Sequence, residues 1–256
     1  MTRNRSTPHT FAAHWLGEPR VAFAVCGSTN DEAARLARAG ARHGTIVIAD
    51  AQDAGRGREG RAWASPPGAG LYLSAVVRPP LPVALVPPMT LAIGVGLCDT
   101  ARAFGADAYL KWPNDALVGG KKLAGVLVES HTHGARLESV IVGIGINLTG
   151  EPPLPTATTL AAASGQLVDR EAVIAQLLAH VELWIDRYVA SGVAAIAPAW
   201  HERMAPGLRA RVTIAGTTLV GDVAGLDHDG ALLVRDLTGC VHRVRSGDVE
   251  PVHAVC

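Results

Sequence analysis

Lys111-Trp112-Pro113-Asn114-Asp115, followed closely by Lys122-Leu123-Ala124-Gly125-Val126-Leu127-Val128, is the stretch on which the reading of this chain turns. A proline pushes the residue before it into an extended backbone, so Trp112 leads into a turn. Asn114 and Asp115 sit on that turn, where short polar side chains are readily aimed. Leu123 to Val128 is a β-type run, and Lys122 stands at its start. An ammonium rooted on a strand has a fixed base and a long reach. Gly125 lets a ligand lie against the strand backbone. A fixed positive charge of this kind offsets the negative charge that builds at phosphorus during nucleophilic attack. Either lysine alone reads as a solvated side chain; two of them flanking Trp-Pro-Asn-Asp read as a site.

Upstream lies Gly55-Arg56-Gly57-Arg58-Glu59-Gly60-Arg61. Its first six residues match the dinucleotide fingerprint GxGxxG letter for letter, but the context does not. That fingerprint needs a helix to open at the loop and receive the pyrophosphate, and Ser65-Pro66-Pro67-Gly68 prevents one. An ATPase P-loop fails too, because Gly60 is followed by Arg61-Ala62. What remains is a flexible loop whose glycines allow close approach and whose arginines grip phosphate through charge-assisted hydrogen bonds. Such a loop, mobile when empty and ordered when filled, would act as a lid.

Around these motifs the chain alternates strand and helix signals. Arg20 to Val25 is β-like, and Ser28-Thr29-Asn30-Asp31-Glu32 starts a helix running to about Gly40. Thr45 to Ala49 and Leu71 to Val77 read as strands. The apolar run Leu81 to Cys98 contains Pro82, Pro87 and Pro88, so it reads as a loop leading into a buried helix over Met89 to Phe104. A bilayer span needs roughly 20 continuous apolar residues. Leu123 to Val128 and Ser139 to Ile146 are β-type runs separated by a polar segment, His131-Thr132-His133-Gly134, which is read as a turn and not as a metal site. Glu151-Pro152-Pro153-Leu154-Pro155 is an irregular crossing, and Asp169 caps an amphipathic helix to about Val189. Trp184 and Trp200 read as packing residues. Composition changes near Pro206-Gly207. Short β-type runs follow at Arg209–Ile214, Thr217–Val223, Ala231–Arg235 and Cys240–Arg245, parted by turn signals that include Ala215-Gly216. This is the pattern of a small antiparallel barrel.

The bulk composition limits the partners. The chain has 256 residues, 48% of them hydrophobic but only 4% aromatic, so its core is expected to be aliphatic. The formal net charge is zero, which speaks against general nucleic-acid binding. Cys26, Cys98, Cys240 and Cys256 are scattered without metal or disulfide spacing, as in a reduced cytoplasmic protein. The stretch from Met1 to His14 has no apolar signal core.

In order, Ser28-Thr29-Asn30, Gln52, the loop from Gly55 to Ala62-Trp63, Lys111 to Asp115, Lys122 to Gly125 and Gly143-Ile144-Gly145-Ile146-Asn147 resemble the biotin–[biotin carboxyl carrier protein] ligases. The resemblance covers roughly residues 20 to 160, and the C-terminal barrel pattern extends it to nearly the whole chain. It implies an α+β catalytic domain over 19–205, with a mixed β-sheet flanked by helices. That is the class II aminoacyl-tRNA-synthetase-like, biotin–lipoate ligase fold. A loose tail over 1–18 precedes it, and a small SH3-like β-barrel over 206–256 follows.

The resemblance also implies a two-step reaction: biotin and ATP give biotinyl-5′-AMP and pyrophosphate, and a lysine of a carboxylase carrier protein then takes the biotinyl group. By position, Lys122, Asp115 and Arg58 are expected to carry catalysis. Ser28, Thr29, Asn30, Gln52, Gly55, Arg56, Lys122 and Gly125 are expected on biotin. Arg56, Arg58, Arg61, Trp63, Lys111, Asn114, Lys122 and Asn147 are expected on ATP or the adenylate. Mg²⁺ is expected to come with the phosphates, without a dedicated protein cluster. Too few residues precede Ser28 for a winged helix-turn-helix, so a ligase without a DNA-binding role and without membrane attachment is expected. A lipoate or octanoyl transferase of the same superfamily and a noncatalytic binding module are the alternatives. The arginine loop with Lys111 to Asp115 and Lys122 to Gly125 favours biotin over the first, and the intact Lys122 disfavours the second.

Overall fold

The computed structural model describes residues 12–152, 154–205, 209–214 and 217–251. The expectations that fall on residues 1–11, Pro153, Pro206-Gly207, the Ala215-Gly216 turn and Cys256 lie outside the described residues.

The larger sheet has seven strands: β1 (Arg20–Cys26), β2 (Ile46–Gln52), β3 (Gly70–Val77), β4 (Tyr109–Lys111), β5 (Asp115–Val118), β6 (Lys121–His133) and β7 (Arg136–Asn147). Their spatial order is β1-β2-β3-β7-β6-β5-β4. β1 and β2 are parallel and the other pairs antiparallel, so the sheet is mixed. Side-chain alternation along the strands assigns the faces. Ile46 and Ile48 of β2, with Leu71, Leu73, Ala75 and Val77 of β3, enter the main core. Val47, Val76 and Ile141 point the other way, under α1 (Thr29–Arg38), which meets them with Ala33, Ala34 and Ala37. Small alanines let this helix lie close to the sheet. α1 ends at Arg38 with Ala39 as its cap, and Gly40 follows at φ 90° as the expected stop.

The main face is covered by α2 (Met89–Ala103), α4 (Arg170–Ser191) and α5 (Val193–Arg203); the short α3 (Leu160–Ser164) precedes α4. Eleven of the fifteen residues of α2 are buried. Val83–Ala103 is apolar and long enough to cross a bilayer by composition, but most of it is buried inside the protein. It is a core helix, with Pro87-Pro88 just ahead of it. A Cβ on Gly96 would sit 3.0 Å from the backbone of His180 and Val181, so this glycine sets how closely α2 crosses α4. Trp184 and Trp200 are buried in this layer.

Two expectations are corrected. His131 to His133 are not a turn: β6 runs to His133 and the chain reverses at Gly134-Ala135, with Gly134 at φ 58°. A two-residue hairpin turn that follows the strand twist needs positive φ, and glycine supplies it. The second concerns the tail over 1–18, which is docked from residue 14 onward. The backbone N–H groups of His14, Trp15 and Leu16 each donate to the Glu182 carboxylate of α4 at 2.7 Å, and Leu16 is buried. Burial pushes the Glu182 carboxyl up, but the three amides outweigh it and hold it below the ordinary value.

The C-terminal sheet has five antiparallel strands, one more than expected: β8 (Arg209–Ile214), β9 (Thr217–Leu226), β10 (Leu232–Asp236), β11 (Val241–Val244) and β12 (Asp248–Pro251), in the order β11-β10-β9-β8-β12. Among the described residues it does not have a core of its own. Ala210, Val212, Leu232, Val234 and Val249 belong to the same continuous core as Trp200 and Leu97.

Candidate active site

A cavity of about 470 Å³ opens over β6 and β7. Five basic side chains line it, Arg56, Arg58, Arg61, Lys111 and Lys122, against two acidic ones, Glu59 and Asp115. A chain of zero net charge thus concentrates positive charge at one place.

The buried end of the cavity is built at the start of α1. Ser28 occupies the N-cap position, but its side chain makes no cap hydrogen bond. Instead the Gln52 carbonyl oxygen accepts from Thr29 N–H at 2.7 Å and from the Thr29 hydroxyl at 3.1 Å. Gln52 therefore satisfies a first-turn amide and leaves the Ser28 side chain on the cavity wall. The Gln52 amide nitrogen donates to Ser65 Oγ at 2.8 Å. Ser74 was not foreseen; its fully buried hydroxyl lies 2.7 Å from Thr29 Oγ1 and 2.6 Å from Asn30 Oδ1. Glu129, also unforeseen, accepts from Asn30 Nδ2 at 2.6 Å. Buried polar groups bonded this completely are fixed in direction, as a hydrogen-bonding pocket requires.

The floor is made by glycines. A Cβ on Gly143 would lie 2.2 Å from Asn30 Oδ1, and one on Gly145 would lie 2.5 Å from the Trp63 indole. Asn30 and Trp63 thus rest directly on the β7 backbone. The indole Nε1 of Trp63 is buried without a hydrogen-bond partner.

Lys122 rises beside this indole, its Nζ 5.3 Å from the ring centroid. It is paired with Asp115 Oδ1 at 2.8 Å. A Cβ on Gly125 would meet that same pair at 3.3–3.4 Å, so the glycine leaves room for both side chains. The root of Lys122 is held on two sides, by β5 and by the crossing segment, through Lys122 N–H to Thr156 O at 2.8 Å and Thr158 N–H to Lys122 O at 2.9 Å. Asn147 braces this joint, donating to Thr158 O at 3.1 Å and Lys122 O at 3.4 Å. Lys111 lines the cavity and makes no ion pair among the described residues.

The arginine loop is a small hairpin over the opening. Trp63 N–H donates to Gly55 O, Gly57 N–H donates to Arg61 O, and Arg56 bridges Ala62. Its tip turns at Glu59, which sits at φ 57°. Glu59 pairs with Arg61 at 3.1 Å and lies 3.9 Å from Arg58. Arg58 donates to Asn114 Oδ1 at 3.2 Å, while Asn114 Nδ2 donates to Val126 O, so the hairpin tip rests on the Trp112–Asn114 turn. Arg56 turns away to Asp31 at 2.6 Å and to Glu129 at 3.4 Å.

Of the residues expected at the site, Ser28, Thr29, Asn30, Gln52, Arg56, Arg58, Arg61, Trp63, Lys111, Asn114, Asp115, Lys122, Gly125 and Asn147 all line this one cavity. Gly55 does not. It lies under the hairpin, where a Cβ would strike Trp63 O at 2.4 Å, so its part is to let the two hairpin arms close. Leu154, Thr156 and Ala157 of the crossing segment, and Gly247 and Val249 of the C-terminal sheet, complete the wall and were not foreseen. Trp112 Nε1 donates to Gly230 O at 3.1 Å, tying the turn below Lys111 to the C-terminal sheet. Two sets of possible metal ligands, Asp227 with His228 and Asp229, and Asp236 with Cys240 and His242, lie in C-terminal turns and do not line the cavity.

Residues 22–147 match the biotin/lipoate A/B protein ligase family. The chain is 35% identical over 243 residues to the bifunctional ligase/repressor BirA of Bacillus subtilis, covering 92% of this chain and 74% of that one. It is 36% identical to the biotin–[acetyl-CoA-carboxylase] ligase of Paracoccus denitrificans, covering 83% of this chain and 92% of that one. The biotin protein ligase of Aquifex aeolicus, solved in complex with biotin and ATP, superposes with a TM-score of 0.80 at 26% identity, over 92% of this chain and all of the other. The mixed seven-stranded sheet with its C-terminal antiparallel sheet, the motifs gathered on one cavity and these likenesses lead to one conclusion: the chain belongs to the biotin–protein ligase family.

Proposed function

We propose that this protein activates biotin with ATP and transfers the biotinyl group to a lysine of a biotin carboxyl carrier protein of an acyl-CoA carboxylase. The observation that carries the reading is a single cavity with two different ends: a buried neutral hydrogen-bonding end at Ser28, Thr29, Asn30 and Gln52, and a cationic end at Lys122, Lys111 and Arg58. A ureido ring carries fixed donors and acceptors and suits the first. A carboxylate meeting a triphosphate suits the second.

In the first step a biotin carboxylate oxygen attacks the α-phosphorus and the bond to the β-phosphate oxygen breaks, releasing pyrophosphate. Lys122 stands where charge develops on the α-phosphoryl oxygens, and Asp115 keeps its ammonium there in an ion pair. Lys111 adds charge for the departing phosphates, and Arg58, on the hairpin, meets the phosphate of the adenylate once it has formed. Asn114 sets the Arg58 guanidinium, and Asn147 braces the strand under Lys122. Trp63 and the hairpin cover the mixed anhydride and keep water from it. In the second step the carrier amine attacks the acyl carbon, AMP leaves, and the amine loses a proton as the amide forms.

Mg²⁺ fits this donor set as an ion carried by phosphate. Among the described residues Asp115 is the one lining carboxylate outside the hairpin, and Mg²⁺ characteristically binds through one or two carboxylates and substrate phosphates. Bound there with Asp115 and Asn114, it would neutralise pyrophosphate as it leaves.

The lipoate alternative is disfavoured by the buried end, because a dithiolane ring offers nothing for Thr29, Asn30 and Gln52 to bond. Zero net charge supports an enzyme without a DNA-binding role. The free thiols Cys26, Cys98 and Cys240 support a cytoplasmic one. ATP–pyrophosphate exchange with biotin or with lipoate tests the proposal. Biotin-dependent exchange is expected; exchange with lipoate alone, or with neither, would overturn it.

A further inference from the structure

We propose that Glu129 and Asp31 staple the arginine hairpin to the first turn of α1 by capturing Arg56, and that this staple sets how long the acyl-adenylate is held. The adenylate half of the inference rests on the ligase reading above; the staple itself does not.

Arg56 sits at the base of the hairpin, opposite Ala62. Its Nη1 donates to Asp31 Oδ2 at 2.6 Å, and its Nη2 lies 3.4 and 3.5 Å from the two Glu129 oxygens. Asp31 belongs to α1 and Glu129 to β6, so one guanidinium joins three pieces of chain that are far apart in sequence. Glu129 Oε2 also accepts from Asn30 Nδ2 at 2.6 Å, and Asn30 in turn receives Ser74. A single carboxylate therefore touches both the cover of the cavity and its buried end.

The charges separate the roles of the two arginines. Arg56 faces two carboxylates, and the hydrogen bond to Asp31 is the largest influence holding its guanidinium above the ordinary value, against the lowering effect of burial. Its positive charge is already matched within the protein. Arg58 bonds a neutral amide, and its nearest carboxylate is 3.9 Å away. Arg58 is thus the hairpin arginine left to meet a phosphate, and Arg56 is a positioning residue. Each pair in the staple is partly exposed. Pairs of that kind shift an opening equilibrium by about three- to tenfold together.

The test uses Glu129→Gln, Asp31→Asn and the double variant in the full chain. Glu129→Gln keeps the volume and an acceptor for Asn30 while removing the charge. In the ligand-free protein, amide exchange over 55–64 is expected to quicken about three- to tenfold in the double variant, with the β6–β7 amides unchanged. With biotin, ATP and Mg²⁺, first-order release of biotinyl-AMP and labelling of albumin should rise by the same factor. The kcat of pyrophosphate exchange at saturating substrates should stay within about twofold in Asp31→Asn, the variant that leaves the buried end of the cavity untouched. Added salt should speed release from the wild type but not from the double variant, because only the former has the pairs to screen. Unchanged hairpin exchange in the double variant, or equal salt dependence in both, would overturn the staple. Faster hairpin exchange with unchanged release would overturn its role in retention. A wild type that makes no biotinyl-AMP would sink the ligase reading and the retention role with it, while the ligand-free exchange would still decide the staple.

Discussion

Lys122 and Arg58 face the same cavity but are held in opposite ways. Lys122 stands on β6, with β5 on one side and the Thr156–Thr158 segment on the other, and its ammonium is paired with Asp115. Arg58 stands at the tip of a hairpin whose arms are joined by a few backbone hydrogen bonds, and its guanidinium rests on one amide side chain, Asn114. A charge that must meet a transition state gains from a root that does not move, because reorganisation during the reaction costs barrier height. A charge that must admit a substrate and then cover it gains from a root that opens. In the proposed reaction the two cations would divide catalysis from containment.

The largest effect that could break this division is at Lys122. Lys122→Ala is expected to lower biotin-dependent pyrophosphate exchange by about 100-fold or more, on the scale of losing one oxyanion donor, with thermal stability nearly unchanged. Exchange near the wild-type rate would show that the strand-rooted charge does not serve the chemistry. Next is Gly145→Ala, which places a methyl group 2.5 Å from the Trp63 indole and lifts it off β7. About a tenfold rise in the KM for biotin is expected, at the lower end of overpacking costs, with the kcat little altered. A fall in kcat alone would mean that Trp63 acts on the reaction and not on the cover.

Arg58→Gly sharpens the contrast from the hairpin side. Synthesis of biotinyl-AMP is expected to persist while its retention falls severalfold, the value of a charge-assisted bond partly exposed to water. Biotinylation of albumin, mutant against wild type, reads this directly; equal labelling with synthesis itself impaired would place Arg58 in the first step. The smallest effect is in the wild type. Biotin at a concentration equal to its Kd should slow hairpin amide exchange about twofold, as mass action requires, and leave the β6–β7 amides as they were. A hairpin already as slow as the sheet without ligand would remove the distinction.

The sequence announced the parts of the site that depend on local backbone chemistry. Pro113 and the polar pair after it mark a turn, Gly125 marks a strand with a close neighbour, and the helix start at Ser28 is spelled out by its cap formers. It was silent where partners meet across the chain. Ser74 reads as one more residue of a buried strand, and only the fold puts its hydroxyl between Thr29 and Asn30. Glu129 lies at the outer half of β6 and gains meaning only from the hairpin that reaches it. The docking of His14 to Leu16 on Glu182 was missed for the same reason, since one acid in a long helix shows no sign that it faces three amides. Strand β12 went unseen because four residues ending in Pro251 carry too little alternation to register.

The hydrogen bond from Trp112 to Gly230, laid over a hydrophobic core that runs unbroken from α2 into the C-terminal sheet, has a consequence for cooperativity. Two sheets that share one core have no independent way to melt, so calorimetric and spectroscopic transitions should coincide. A substitution that loosens the C-terminal sheet around Gly230 then reaches beyond stability, because the partner it releases is the tryptophan beneath Lys111 and Asn114. Activity lost through such a lesion would look catalytic in the assay and be mechanical in origin.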